Sequence, residues 1–89
     1  MKAVWKYPTK PDIFGHELPE GAQVVHFDMQ HGEPTMWVLV DTDAPLDQRP
    51  FLVAGTGHEL PVDARYIASC IDRELGLVWH LFEPLAGGH

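Results

Sequence analysis

A five-residue segment occurs twice in this chain, and the repetition constrains the fold more than any other feature. Gly-His-Glu-Leu-Pro stands at residues 15–19 and again, 42 positions later, at residues 57–61. The same register extends over residues 15–41 and 57–83, where 8 of the 27 aligned pairs are identical, among them a pair of tryptophans. Because repeated sequence indicates repeated supersecondary structure, we predict a pseudo-symmetric fold built from two similar halves.

The size of the chain requires the two halves to share one core. A domain of 89 residues buries only roughly 60% of the surface that its unfolded chain exposes. Each half has about 42 residues, which is close to the lower limit for folding without a metal, a disulfide or a partner. We therefore predict a single domain over residues 1–89.

Proline and glycine determine the expected fold class. Eight residues of each type interrupt the chain too often for long helices and leave intervals of strand length. The sequence therefore predicts a mainly β protein, a small antiparallel β-sandwich or partly open barrel of about six strands, arranged as two three-stranded repeats. The strands are expected at residues 4–7, 23–30, 35–41, 51–54, 65–72 and 77–83.

The remaining segments are expected to be irregular. Residues 15–21 and 55–63, which contain the two pentamers, are predicted turns, residues 42–50 are a polar joint between the halves, and residues 84–89 are a frayed tail. Residues 35–41 are apolar on both faces and are expected in the middle of a sheet, covered on both sides. In residues 23–30, Val25, Phe27 and Met29 alternate on one face.

One segment allows a second interpretation. Ile67, Cys70, Ile71 and Leu75 recur at helical spacing, so residues 64–75 could form a helix. The corresponding segment of the first half alternates with period two, and this favours a strand in the second half as well.

Composition narrows the classes of function. Thirteen acidic and six basic residues give a net charge of -7, which does not favour direct binding to nucleic acid. No apolar run is long enough for a membrane span, and the N-terminal segment lacks the apolar stretch of a signal peptide. Cys70 is the only cysteine and cannot form an internal disulfide, which agrees with a reducing compartment. We expect a cytoplasmic protein.

The repeated pentamer also supplies the only candidate site. His16, Glu17, His58 and Glu59 could meet across a pseudo-two-fold axis, and imidazole and carboxylate groups bind ligands and zinc. Neither copy has the second histidine four residues on that marks a helical zinc site. A structural turn explains the pentamer more simply, because glycine permits the turn, leucine anchors it and proline directs the next strand. These four residues are tentative ligand-binding residues, and no metal, cofactor or catalytic residue is predicted.

The paired tryptophans have two interpretations. Trp37 and Trp79 could stack on the two sides of a planar ligand such as a nucleotide base. Each also shares a predicted strand face with a leucine, Leu39 or Leu81, and a large aromatic residue contributes much of the buried area in a small core. We therefore expect both tryptophans in the core.

The two halves also differ at positions where one copy could have specialised. Val38 in the first half corresponds to His80 in the second, and Phe27 corresponds to Ser69. Neither polar residue lies in a recognisable catalytic motif.

Several segments resemble a family of short, uncharacterised proteins from bacteriophage and prophage genomes. The more specific ones are Gly-Thr-Gly-His at residues 55–58 and Val-Trp-His at residues 78–80, and the likeness extends from Lys6 to Glu83. The family has no assigned activity, so no functional residues can be carried over. The resemblance implies a small protein from a mobile genetic element that acts inside a bacterial cell.

These features lead to one favoured function and two alternatives. We expect a non-enzymatic accessory protein that binds and inhibits a host or defence protein, in the manner of an anti-CRISPR protein. The first alternative is a protein that binds a small ligand or nucleotide signal, and the second is a metal-dependent enzyme that uses the two His-Glu pairs. Exposed sheet edges in so small a protein also allow a homodimer.

Overall fold

Seven β-strands make up the fold in this computed structural model, which describes residues 1–85. No helix occurs in that range, so the alternative of a helix at residues 64–75 is wrong. The bounds of the strands are β1 Lys2–Pro8, β2 Asp12–Pro19, β3 Gln23–Gln30, β4 Glu33–Asp41, β5 Leu46–Gly55, β6 Ala64–Asp72 and β7 Leu77–Pro84. Pro84 ends β7, and residues 86–89 of the predicted tail lie outside the described range.

The strands form two antiparallel sheets, which we call sheet A and sheet B. Sheet A has the order β1-β4-β3, and sheet B has the order β2-β5-β7-β6. The mainly β, antiparallel prediction is confirmed. The predicted number of strands was too low by one, and the sheets do not close into a barrel.

One core lies between the two sheets. Met36, Val38 and Val40 of β4 face Phe51 and Leu81 of sheet B in a single buried cluster, and all five side chains are at most 1% exposed. The molecule is 39 × 34 × 15 Å, as expected for two sheets packed about 10 Å apart. The predicted shared core is therefore present.

Strand β2 was missed because its sequence has the composition of a turn. Residues 15–21 were predicted as a turn and residues 42–50 as an irregular joint, yet most of these two segments pair with each other. The register extends from Asp12 opposite Val53 to Pro19 opposite Leu46. Strand β2 lies at the edge of sheet B, where a proline costs no interstrand hydrogen bond on the open side.

The two halves share a connectivity but differ in the length of one connection. Strand β4 lies between β1 and β3, and β7 lies between β5 and β6. In each half, the connection between the two flanking strands must therefore cross over the middle strand. The first connection, residues 9–22, has 14 residues and includes β2, whereas the second, residues 56–63, has 8. The second connection forms no strand, as predicted.

Both hairpins contain a β-bulge at the same position of the repeat. The register shifts between Val24 and His26 in β3 and between Tyr66 and Ala68 in β6, 42 residues apart. In β3 the bulge exposes Val25 while Phe27 stays buried, so the expected alternation of Val25 with Phe27 on one face was wrong.

Equivalent positions of the two hairpins do not face the same way. Asp28 is exposed on β3, whereas Cys70, 42 residues later, is buried on β6. The turn after β3 has two residues and the turn after β6 has four. A difference of two residues does not by itself exchange the inner and outer faces, because side chains alternate with period two along a strand. The second hairpin as a whole therefore presents the opposite face at equivalent positions.

Candidate functional site

The four residues predicted from the pentamers lie in two separate places. His16 and Glu17 belong to β2, and His58 and Glu59 belong to the connection after β5. His16 lines one groove of about 440 Å³, while His58 and Glu59 line another of about 310 Å³ together with Trp79. The structure therefore does not bring the two His-Glu pairs together.

The imidazole of His16 contacts residues of both sheets. Its ring lies 5.0 Å from the ring of Tyr7 and 5.6 Å from the ring of Phe14. Its Nε2 atom lies 3.1 Å from the carbonyl oxygen of Pro8. Since a carbonyl oxygen only accepts hydrogen bonds, Nε2 carries the hydrogen, and Nδ1 is the acceptor of the neutral ring.

The groove beside this histidine combines apolar and charged side chains, and we call it the His16 groove. It is lined by Pro8, Thr9, Lys10, Ile13, Phe14, Gly15, His16 and Glu33. Thr9 is buried, and both its amide and its hydroxyl donate hydrogen bonds to the carbonyl oxygen of Pro34, at 3.0 and 2.7 Å. One wall of the groove is thus a segment that these two hydrogen bonds hold against β4.

The side chain of His58 contacts the backbone of its own turn. Its Nδ1 accepts a hydrogen bond of 3.3 Å from the amide of Gly55. A Cβ atom at residue 55 would lie only 2.9 Å from this imidazole, so glycine is required for the ring to approach. These contacts support a structural role for the second pentamer.

A chain of four hydrogen-bonded side chains crosses the outer face of sheet B, and we call it the His80 chain. Ser69 Oγ lies 2.7 Å from His80 Nδ1, and Thr56 Oγ1 lies 2.8 Å from Nε2 of the same ring. The hydroxyl of Tyr66 lies 2.9 Å from Ser69 Oγ. Ser69 and His80 are direct cross-strand partners of β6 and β7. The two polar residues that distinguish the second half thus contact each other.

The His80 chain has the connectivity of a nucleophile, a base and an orienting group. The third position, however, holds the neutral hydroxyl of Thr56, where a catalytic triad usually has a carboxylate that stabilises the imidazolium. Thr56 is the first residue of the second connection, and its amide also donates to the carbonyl oxygen of Val78. The His80 chain therefore fastens residues 56–63 to sheet B.

The two tryptophans lie on opposite faces of their sheets. Trp79 is partly buried and packs against the core beside Leu81, as predicted. Trp37 lies between the buried Met36 and Val38, so it faces outward from sheet A. The core prediction is wrong for Trp37, and the two rings cannot stack on the two sides of one ligand. Strand β4 is central in its sheet, as predicted, but only its inner face is fully covered.

The outward-facing side of sheet A forms a mixed apolar and charged surface, which we call the Trp37 face. Val4 lies opposite Leu39, and Trp37 lies between Lys6 and His26. The rings of His26 and Trp37 are 5.2 Å apart. Val4 and Val25 are 54% and 53% exposed. The residues of the Trp37 face are Lys2, Val4, Lys6, Gln23, Val25, His26, Asp28, Trp37, Leu39 and Asp41.

Cys70 is a buried thiol that faces the core. Burial raises its pKa to about 11, and the nearby carboxylates of Asp28 and Asp72 act in the same direction. The thiol is therefore protonated at neutral pH and a poor nucleophile.

Neither a metal site nor a membrane-spanning helix is found in residues 1–85. No three His, Cys, Asp or Glu side chains in that part of the chain are placed to hold a metal ion. No helix in it is long and apolar enough to cross a bilayer.

Comparison with known proteins places the chain in a family. The model of a domain of unknown function, DUF7352, matches residues 1–87. The protein belongs to the DUF7352 family. The match includes both copies of the repeat, and the family description assigns no activity. No curated protein and no solved structure matches the chain. The phage origin implied by the resemblance stays a prediction.

Proposed function

We propose that this DUF7352 protein acts without catalysis, by binding a partner protein on the Trp37 face. The observation that supports this proposal is the outward orientation of Trp37 in the middle strand of a sheet. Its direct cross-strand partners are Lys6 and His26, and the exposed side chains of Val4 and Val25 lie on the same two flanking strands. Tryptophan is among the residues that contribute most binding energy in protein interfaces.

The apolar part of the face is continuous. Cross-strand register places Val4 beside Leu39 and His26 beside Trp37, while Val25 extends the surface at the bulge. Contiguous exposed apolar surface rimmed by polar residues is typical of interaction sites, whereas single exposed apolar residues are not.

The charges define the chemistry of the partner. The three lysines of the chain stand at residues 2, 6 and 10, and two of them edge the Trp37 face. Arg49 and Arg65 are both paired with Glu83, at N–O distances of 2.8 and 2.7 Å. On this face Lys2 lies opposite Asp41, whereas Lys6 lies opposite Trp37. The partner we propose inserts an apolar side chain against Trp37 and places a carboxylate opposite Lys6. A host or defence protein of a bacterial cell is the partner class that the resemblance suggests.

Affinity capture with matched variants tests the proposal. Wild type, Trp37→Ser and Val25→Glu are immobilised and incubated with a bacterial cell lysate. Leu75→Ser is the control, because Leu75 is 71% exposed in the β6–β7 turn and does not belong to the Trp37 face. We expect wild type and Leu75→Ser to retain the same protein, and both variants of the Trp37 face to lose it. Raising the salt concentration weakens capture if Lys6 contributes.

Two results would contradict the proposal. One is capture that is equal for wild type, Trp37→Ser and Val25→Glu, since binding would then use another surface. The other is self-association of wild type that Val25→Glu abolishes in sedimentation experiments, since the face would then bind a second copy of the chain. Circular dichroism of each variant confirms that it is folded.

A further inference from the structure

We infer that the His16 groove is a binding site for a free α-amino acid with an apolar or aromatic side chain. The site is independent of the Trp37 face, so either proposal can fail alone.

The charges of the groove fit the two charged groups of such a ligand. The register of β1 and β4 pairs Pro8 with Thr35, and the amide of Thr9 bonds to Pro34, so the next residues, Lys10 and Glu33, are neighbours. Both line the groove. Neither forms an ion pair with another residue of the described range 1–85. One ammonium and one carboxylate are thus free to meet the carboxylate and the ammonium of one zwitterion.

The apolar side of the groove fits the ligand side chain. Ile13 and Phe14 line it, and the ring of Phe14 is fixed by stacking on Phe51, with 5.8 Å between the ring centroids. The volume of about 440 Å³ is within the range of small-molecule sites.

Two residues of the groove are held in place by other parts of the protein. His16 contacts two aromatic rings and the carbonyl of Pro8, and Thr9 is bonded to Pro34. Residues that are already positioned lose less conformational entropy when a ligand binds. The carboxylate of a bound amino acid lies beside Lys10, and the His16 imidazole forms the wall next to it.

Titrations followed by NMR separate the contributions of the three ligand groups. The ligands are L-phenylalanine, phenylacetate, which lacks the ammonium group, phenethylamine, which lacks the carboxylate, and glycine, which lacks the side chain. We expect L-phenylalanine to shift the amide resonances of Lys10, Phe14 and Glu33, and each truncated ligand to bind about tenfold more weakly or worse.

Two variants test which charged side chain contacts which charged group of the ligand. Lys10→Ala is expected to weaken L-phenylalanine and phenylacetate by about tenfold, whereas Glu33→Gln weakens L-phenylalanine and leaves phenylacetate unchanged. Lys2→Ala and Glu20→Gln, which alter charges outside the groove, are the controls and retain wild-type affinity.

Phenylacetate that binds as tightly as L-phenylalanine would overturn the inference, because the site would recognise only an anion. So would an absence of shifts in the groove at concentrations up to about 10 mM.

Discussion

The two copies of Gly-His-Glu-Leu-Pro have the same sequence and different structures. In the first, Leu18 is the penultimate residue of β2 and is 0% exposed. In the second, Leu60 lies in the connection between β5 and β6 and is 42% exposed. The same five residues are therefore compatible with an edge strand and with a loop, and their surroundings decide between the two.

The difference follows from how far each connection has to reach. The first has 14 residues and can extend to sheet B, where β5 supplies hydrogen-bonding partners along eight residues. The second has 8 residues and must cross β7 to reach the start of β6. The shorter segment is anchored at Thr56 by the His80 chain and at His58 by its own turn.

The largest expected difference in the free energy of unfolding is between variants of Leu18 and Leu60, the leucines of the two pentamers. Leu18→Ala removes a fully buried side chain and should lower the free energy of unfolding by about 3 to 5 kcal/mol. Leu60→Ala, the matched change in the other copy, should cost less than about 1 kcal/mol because Leu60 is already 42% exposed in the folded protein. Urea denaturation measures both. Equal losses would mean that the second pentamer packs as tightly as the first.

The next largest difference in stability is expected between variants of the two tryptophans. Trp79→Ala removes part of the core and should cost about 3 kcal/mol, the lower end of the range for buried aromatic residues, because Trp79 retains some exposure. Trp37→Ala removes an outward-facing ring and should cost at most about 1.5 kcal/mol. Thermal unfolding of both variants tests the assignment of faces. A larger loss for Trp37→Ala would contradict the orientation of β4.

The smallest effect concerns a contact that only the second half has. Thr56→Val and Ser69→Ala each remove one hydroxyl from the ring of His80 and should each cost about 1 kcal/mol. Amide hydrogen exchange should become faster in residues 56–63 for Thr56→Val, because the connection loses its anchor. Exchange that stays unchanged would show that the His80 chain does not fasten the connection. Thr42→Val, in the first half, is the matched control.

Much of the fold could be predicted from local pattern. Alternation and the spacing of proline and glycine located β1, β3, β4, β6 and β7 to within a few residues. The same signals failed for β2, because glycine, proline and charged residues are typical of turns. Its pairing with β5 is a contact between segments about 30 residues apart, and short-range propensity contains no information about such contacts.

The candidate sites were less predictable. His16 was predicted only as a tentative ligand-binding residue. The structure places it beside a groove, and the charged residues of that groove, Lys10 and Glu33, come from two other segments. Ser69 and His80 were noted only as differences between the halves. Their contact depends on the register of β6 and β7, and the four-residue turn and the bulge set that register.

The sequence by itself determined that this chain is a β protein with a duplicated pattern, since side-chain alternation and turn residues act over a few positions. The tertiary structure decided which copy of the pentamer became a strand and which tryptophan entered the core. It did so because strand pairing and register are non-local, and because a change of one residue in register moves a side chain from the core to the solvent.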